Sequence, residues 1–514
     1  MSQEPELPTD PQALRQLVVE LLSALQEKDR RIGQLSSQLE TLRRRLFGRS
    51  SEKLDPNQLA LDLGAWLAAH AAEEPTPLPA PAAIEPEEKQ RSQGGHGRRR
   101  LPERLPRHRV EYHPAPADRV CRECSLDLKR IGEEVSEQLE YVPASLYVVV
   151  HARIKYACPC CQGNVVCGSL PVQPIEKGLP GPGLLAHVLT SKYNDHLPLN
   201  RLEGIFQRQG VELRRSTLCD WVAAGADLLK PLVDVMKREV LASRKIHTDD
   251  IPVPVLDKER ASTRTGRLWV YVGGPDHEHI VFDYTPDRSR DGPKAFLSGY
   301  KGYLQADAYA GYDVLYAGQE VIEVACWAHA RRKFFDAMKS DAVRARVALA
   351  YIRSFYAVER QAHDLDEASR QQLRLAQAKP HLEAFKVWLD TEVQKVLPKS
   401  PIGEAISYAR AQWTALVRYL EDGLLEPDNN RAERALRRVA VGRKNWMFAG
   451  SDEGGHRAAI IYSLIASCAA TKVDPFAYLR DVLQRLPSCA ADSGDLKLLT
   501  PRAWKAALDT SAAA

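Results

Sequence analysis

Six of the ten cysteines lie between Cys121 and Cys167. Cys121 and Cys124 form one C-x-x-C knuckle and Cys158 and Cys161 a second, with 33 residues between the two. Thiolates in paired knuckles suit a tetrahedral Zn2+ closed by four ligands, a structural rather than a catalytic site. Cys160 and Cys167 compete for the fourth position. Carboxylates supply the second kind of chemistry. Asp249 follows the period-two stretch that starts at Lys245, and Asp307 follows Tyr303–Ala306. Each is expected at a strand end, where an Asp commonly caps the following turn. Glu433 stands in a helical pattern that puts Asn430, Glu433 and Arg437 on one face and Ala432, Ala435 and Leu436 on another. Six basic residues from Arg431 to Lys444 surround it, among them Arg434, Arg437, Arg443 and Lys444. They suit an anionic substrate, and an ion pair of Glu433 with Arg437 is the plainer alternative.

Elements must position these groups. Apolar alternation over Lys245–Val255, Gly266–Val272 and His279–Tyr284, then a helix near Pro293–Tyr300 and a strand at Tyr303–Ala306, predicts a ribonuclease-H-like α/β core. Asp307 and Glu433 are 126 positions apart, so an insertion separates them. Residues 342–421 are rich in Ala, Leu, Arg, Glu and Gln and are expected to be helical. Cys326 and His329 open that insertion, too sparse a pair for a second zinc site. Upstream, helices over Gly183–Asn194, Leu199–Gln209 and from about Ser216 fit a helix-turn-helix. Gly210 makes its turn and Ser216 its cap, and Arg214 and Arg215 stand at the entry to the recognition helix, within reach of phosphates.

Near the N-terminus, Val18, Leu25, Ile32, Leu39 and Leu46 repeat every seven residues, as do Leu14, Leu21, Lys28, Leu35 and Leu42. That is the pattern of a parallel two-stranded coiled coil, hence of a homo-oligomer that is at least a dimer. Five Pro and five Glu between Ala72 and Glu88 mark a linker. The next stretch, Arg91–Val110, holds seven Arg and one Glu. Its glycines beside Arg98, Arg99 and Arg100 suit an arm lying on DNA phosphates or in a minor groove, and equally a solvated tail. With 514 residues, 44% hydrophobic and 27% charged, the chain has room for several domains and is not disordered as a whole. A net charge of +4 names no partner. The apolar stretch Ala458–Ala470 is interrupted by Ser463 and Ser467 and is too short for a bilayer span, so no membrane partner is expected. The N-terminus lacks a signal pattern, and the expected location is cytoplasmic.

Nine segments, in order along the chain, carry a resemblance: LFGRSSEKL, GGHGRRRLP, the cysteine knuckles, HTDDIPVPVLD, GRLWVYV, YLQADAYAGYD, CWAHARRKFFD, DNNRAERALRRVAVGRKNWMFAGSDEGG and DPFAYLRDVL. Together they resemble the insertion-sequence-66 family of transposases. The resemblance implies a DDE-type enzyme with Asp249, Asp307 and Glu433 on the three acidic positions. It further implies Mg2+ (or Mn2+) bound by them and double-stranded DNA as substrate, both element ends and target. It also implies a bacterial, nucleoid-associated protein and two accessory proteins encoded by the same element. Asp250 stands where a Glu is frequent in that family, which leaves both adjacent aspartates as candidate ligands.

The expected fold class is multidomain α+β. The expected parts are a coiled-coil helix (11–50), a linker with a basic arm (51–110), a zinc-binding β-rich module (111–175) and a helix-turn-helix (180–240). A ribonuclease-H-like core follows in two parts (241–340 and 426–472), interrupted by a helical insertion (341–425), with a C-terminal helical segment (473–514). Two other functions fit the same modules: a structure-specific nuclease on the same core, and a DNA-binding regulator without catalysis. Occupancy of all three acidic positions disfavours the regulator.

Overall fold

A computed structural model describes residues 178–489 except 258 and 261, then 495–513, together with pieces within 10–32 and at 146–149, 155–156, 166–167 and 172–176. Two compact units emerge, Met1–Leu78 with Arg153–Ala514, and Pro79–Ala152. Of the second only 146–149 are described, and the described strands and helices all belong to the first. Cys121, Cys124, Cys158, Cys161 and Arg98–Arg100 lie outside the described residues. So does the part of the heptad pattern beyond Ile32. Its described positions are helical, and Val18, Leu21, Leu25 and Ile32 are exposed there.

Three helices lead into the core: α1 (Pro182–Tyr193), α2 (Leu199–Arg208) and α3 (Arg215–Leu241). Gly210, at φ +83°, makes the turn between α2 and α3, a conformation that costs glycine nothing. Leu202 and Phe206 of α2 and Leu218, Trp221 and Val222 of α3 are buried. The third helix starts at Arg215, with Arg214 rather than Ser216 at the N-cap position and no side-chain capping bond, and it runs well past the stretch in which the turn signals lie. Arg214 and Arg215 are exposed.

The central sheet has five strands: β1 (Lys245–Val255), β2 (Arg264–Gly273), β3 (Ile280–Thr285), β4 (Gly302–Gln305) and β5 (Val321–Val324). Their order is β3-β2-β1-β4-β5. The first three pair antiparallel, while β4 lies parallel to both β1 and β5. The helix between β3 and β4, α4, spans Asp291–Phe296, starting and ending earlier than the sequence suggests. The short strand β5 was not expected. Its alternation covers only four residues, too few for a periodic signal.

After β5 come α5 (Trp327–Ala337), α6 (Ala342–Gln361), α7 (Glu367–Leu373), α8 (Lys379–Glu392) and α9 (Pro401–Ala411). They enclose an apolar core of their own around Trp327, Phe334, Phe355, Phe385 and Trp388. The chain then returns to the sheet through α10 (Asn430–Trp446) and α11 (Asp452–Ala470), and ends in α12 (Pro475–Arg485) and α13 (Pro501–Ala513). α10 turns Ala432, Ala435, Leu436, Val439 and Gly442 inward and packs on β1. α11 covers β3. The serines that interrupt its apolar run bind the strand: Phe282 N–H donates to Ser463 Oγ (2.8 Å) and Ile280 N–H to Ser467 Oγ (2.9 Å). Edge-strand donors that would otherwise be open for pairing are thereby satisfied. Among the described residues no helix is long and apolar enough to cross a membrane.

Candidate active site

Asp249 sits inside β1, opposite Val270 of β2, and not at a strand end. The parallel pairing of β1 with β4 ends at His247–Gln305, so Asp249 emerges just past the point where the two strands part. Asp307 follows β4 by two residues, after Ala306, whose N–H still donates to Val324. Glu433 lies in the first turn of α10. The Asp249 carboxyl is pushed up to about 7, first by burial and then by the charges of Asp307, Asp250 and Glu433. Burial also raises Asp307, against the pull of His329 and Arg288. Three acids remote in sequence therefore share one electrostatic environment, with an all-oxygen donor set of the kind a hard divalent cation takes.

Asp250 is separated from Asp249 by its partners. Arg267 donates to its Oδ2 and Arg288 to its Oδ1, both at 2.8 Å. Among the described residues Asp249 forms no ion pair, which distinguishes the two adjacent aspartates. Arg288 also reaches Asp307 Oδ2 at 3.7 Å and lies over the Tyr309 ring, 4.2 Å from its centroid. Nothing in the local sequence marks Arg288, because its partners lie on β1 and just past the end of β4.

His329 and Cys326 gain a third neighbour that spacing did not reveal. His329 Nδ1 is 3.9 Å from Glu433 Oε1, and one ligand atom from each of Cys326, His329 and Glu433 falls within 4.8 Å of the others. Burial pushes the Cys326 thiol up to about 12, which disfavours the thiolate a soft metal needs. The sulfur instead accepts the Asn429 N–H at 3.2 Å.

Asn429 is fully buried at the start of α10. Its Nδ2 donates to the Thr248 carbonyl (2.8 Å), and its Oδ1 lies 3.2 Å from His247 Nδ1. One turn below, the buried Lys245 ammonium donates to Leu424 O (2.5 Å) and to Glu426 Oε1 (3.2 Å), and Gln305 Nε2 donates to Glu426 O (2.6 Å). The returning chain is thus bound to β1 and β4 immediately before Glu433 by a buried polar network, in which His247 Nε2 and Gln305 Oε1 have no hydrogen-bond partner among the described residues. Of the candidate DNA-contacting residues in this region, Arg434, Arg437 and Lys444 are exposed on the side of α10 that carries Glu433. Arg443 is half-buried and donates to the Pro252 carbonyl at 2.7 Å, holding α10 to β1.

A family model described as "Transposase IS66 family" matches residues 177–457, which include the sheet, the insertion and all three acids. The chain belongs to the IS66 family of transposases. Three further models of the family match other parts of this transposase. They are a zinc-finger binding domain of transposase IS66 (118–162), a transposase C of IS166 homeodomain (34–110) and an IS66 C-terminal element (463–501). The zinc-finger match contains all four knuckle cysteines. Similar chains occur in Sinorhizobium fredii. The uncharacterized protein y4hP is 33% identical over 502 residues, covering 92% of this chain and 89% of the relative. The uncharacterized protein y4jD is 32% identical over 499 residues, covering 94% and 96%.

Proposed function

We propose that this IS66-family protein is a DDE-type transposase. It binds the ends of its element, cuts phosphodiester bonds there and joins the freed 3′ hydroxyls to target DNA. The observation that carries the reading is the meeting of Asp249, Asp307 and Glu433 from a strand, a strand exit and a helix. The strand order, with three antiparallel strands followed by two parallel ones, supports a ribonuclease-H-like core.

In this reading Asp249, Asp307 and Glu433 would hold the Mg2+ (or Mn2+) ions. Such ions, when bound, activate an attacking oxygen and stabilise a leaving one. Arg288 orients Asp307, to which it is close, and His329 orients Glu433. Exposed Arg434, Arg437 and Lys444 meet the phosphates along the same face. Water is the nucleophile in cutting and the 3′ hydroxyl in joining, and no covalent enzyme intermediate forms. The α1–α3 unit, with exposed Arg214 and Arg215, serves as the helix-turn-helix for end recognition. The N-terminal heptads pair two or more chains, and Cys121, Cys124, Cys158 and Cys161 hold a structural Zn2+.

The test incubates purified full-length protein with Mg2+, element-end DNA and a target plasmid. Joined products are expected, whereas cut ends without joining support a nuclease. Asp249→Asn, Asp307→Asn and Glu433→Gln each abolish cutting and leave end binding largely intact. Full cleavage by any one of them removes that residue from the assignment.

A further inference from the structure

Helix α10 ends in an unusual turn. Met447 has φ +65° and ψ −48°, and the Phe448 N–H donates across it to Trp446 O at 2.8 Å. This is a γ-turn of the rarer, strained hand, formed by a residue with a full side chain. A conformation of this kind costs on the order of 1–3 kcal/mol and persists only where its surroundings hold it. Here they do so from both sides. Met447 N–H donates to Arg443 O (2.9 Å), Ala449 N–H to Pro254 O (2.8 Å) and Leu256 N–H to Ala449 O (2.8 Å). The turn presents two large apolar side chains to solvent, Met447 at 66% exposure and Phe448 at 40%.

We propose that Met447 and Phe448 form an apolar wedge that inserts beside an unstacked base of bound DNA. The inference rests on the DNA-cutting reading and specifies how the duplex is held. Charge favours nucleic acid as the occupant. On a helix at 100° per residue, Glu433, Arg437 and Lys444 share one face, the helix ends at Trp446 directly before the turn, and Arg437 and Lys444 are exposed between the acid and the wedge. Fourteen positions separate Glu433 from Met447, about 21 Å at ~1.5 Å per residue. A strand following that face reaches the wedge about six nucleotides from the scissile phosphate, at ~3.4 Å per nucleotide. Apolar side chains flanked by cations are the usual means of unstacking a base step.

Full-length protein without added Mg2+ or Mn2+, which permits binding without cutting and spares a cysteine-held zinc, is titrated with duplexes bearing the inverted terminus that flanks its gene. One abasic site is moved along the duplex, since a missing base removes the cost of unstacking. Wild type is expected to bind about tenfold more tightly when the abasic site lies roughly six nucleotides from the cut. Met447→Ala with Phe448→Ala loses that preference but keeps affinity for intact duplex within a few-fold. Met447→Gly, which relieves the turn and keeps Phe448, retains it. Failure of wild type to bind any terminus defeats the DNA reading itself. Binding with no abasic preference overturns the wedge alone, as does a preference that survives the double substitution. A double variant that changes oligomeric state and leaves the preference intact assigns the patch to a second copy of the chain, which also overturns it.

Discussion

Replacing Asn429 with Ala tests whether the buried network fixes Glu433 relative to Asp249. The side chain makes two interactions, with the Thr248 carbonyl at 2.8 Å and with His247 Nδ1 at 3.2 Å, and the residue is fully buried. Burial, with Lys245 adding to it, holds His247 down to about 3, so the imidazole is neutral and does not recover solvation by ionising. Truncation leaves both groups without partners in a site closed to water. Each orphaned group costs about 1–3 kcal/mol, giving roughly 2–6 kcal/mol for the pair. The loss is local, because Asn429 joins β1 to the first turn of α10, where Glu433 N–H bonds to Asn429 O at 3.2 Å. Native-state hydrogen exchange followed by peptide mass analysis is the suitable assay, since a chain of several domains has no single unfolding free energy. Peptides covering β1 and the start of α10 are expected to exchange about thirtyfold faster or more, by the tenfold per ~1.4 kcal/mol conversion. Those from the insertion core should be unchanged. The Mg2+ concentration for half-maximal cutting should rise in parallel. Wild-type exchange in both peptides, or an unaltered Mg2+ requirement alongside faster exchange, refutes the reasoning.

Protons and metal compete for Asp249. With its carboxyl pushed up to about 7, the protonated form grows as pH falls through that value, and a cation must displace the proton. The Mg2+ concentration for half-maximal cutting should therefore rise about tenfold per pH unit below 7 and flatten above it, and equal values at pH 6 and pH 8 contradict this. Lys245→Met removes the buried partner of Glu426 and of the Leu424 carbonyl. A loss near the low end of ~3–5 kcal/mol is expected, because the Glu426 side chain is 33% exposed, and Glu426→Gln in the same chain should restore part of it. Native-state hydrogen exchange of peptides covering Lys245 and Glu426 in the single and double variants measures both. Ser463→Ala with Ser467→Ala strips two acceptors from the β3 backbone, so the Ile280 and Phe282 amides should exchange faster while Met236 and Leu232 peptides stay as they are. Unchanged exchange at β3 rules out the proposed clasp.

Much of the local architecture could be read from periodicity. The strand at Lys245–Val255 agrees at both ends, and the apolar face of α10 contains Ala432, Ala435 and Leu436 as its spacing suggests. These agree because strand and helix repeats are set by backbone geometry, and the buried side of each element repeats with them. Family membership was equally legible, since it lies in nine segments retained in order. Partners drawn from distant parts of the chain were not. Arg288 gains meaning only where Asp250 and Asp307 face it, and His329 only where α10 returns beside α5. Asn429, inside a motif that was recognised, gave no sign that it would bind His247, Thr248 and Cys326. Local pattern determined which elements form and which faces they bury. Tertiary structure decided which of two adjacent aspartates is left without a cationic partner among the described residues, because that depends on where the β2 arginine and the arginine after β3 reach, and sequence spacing does not encode such a distance.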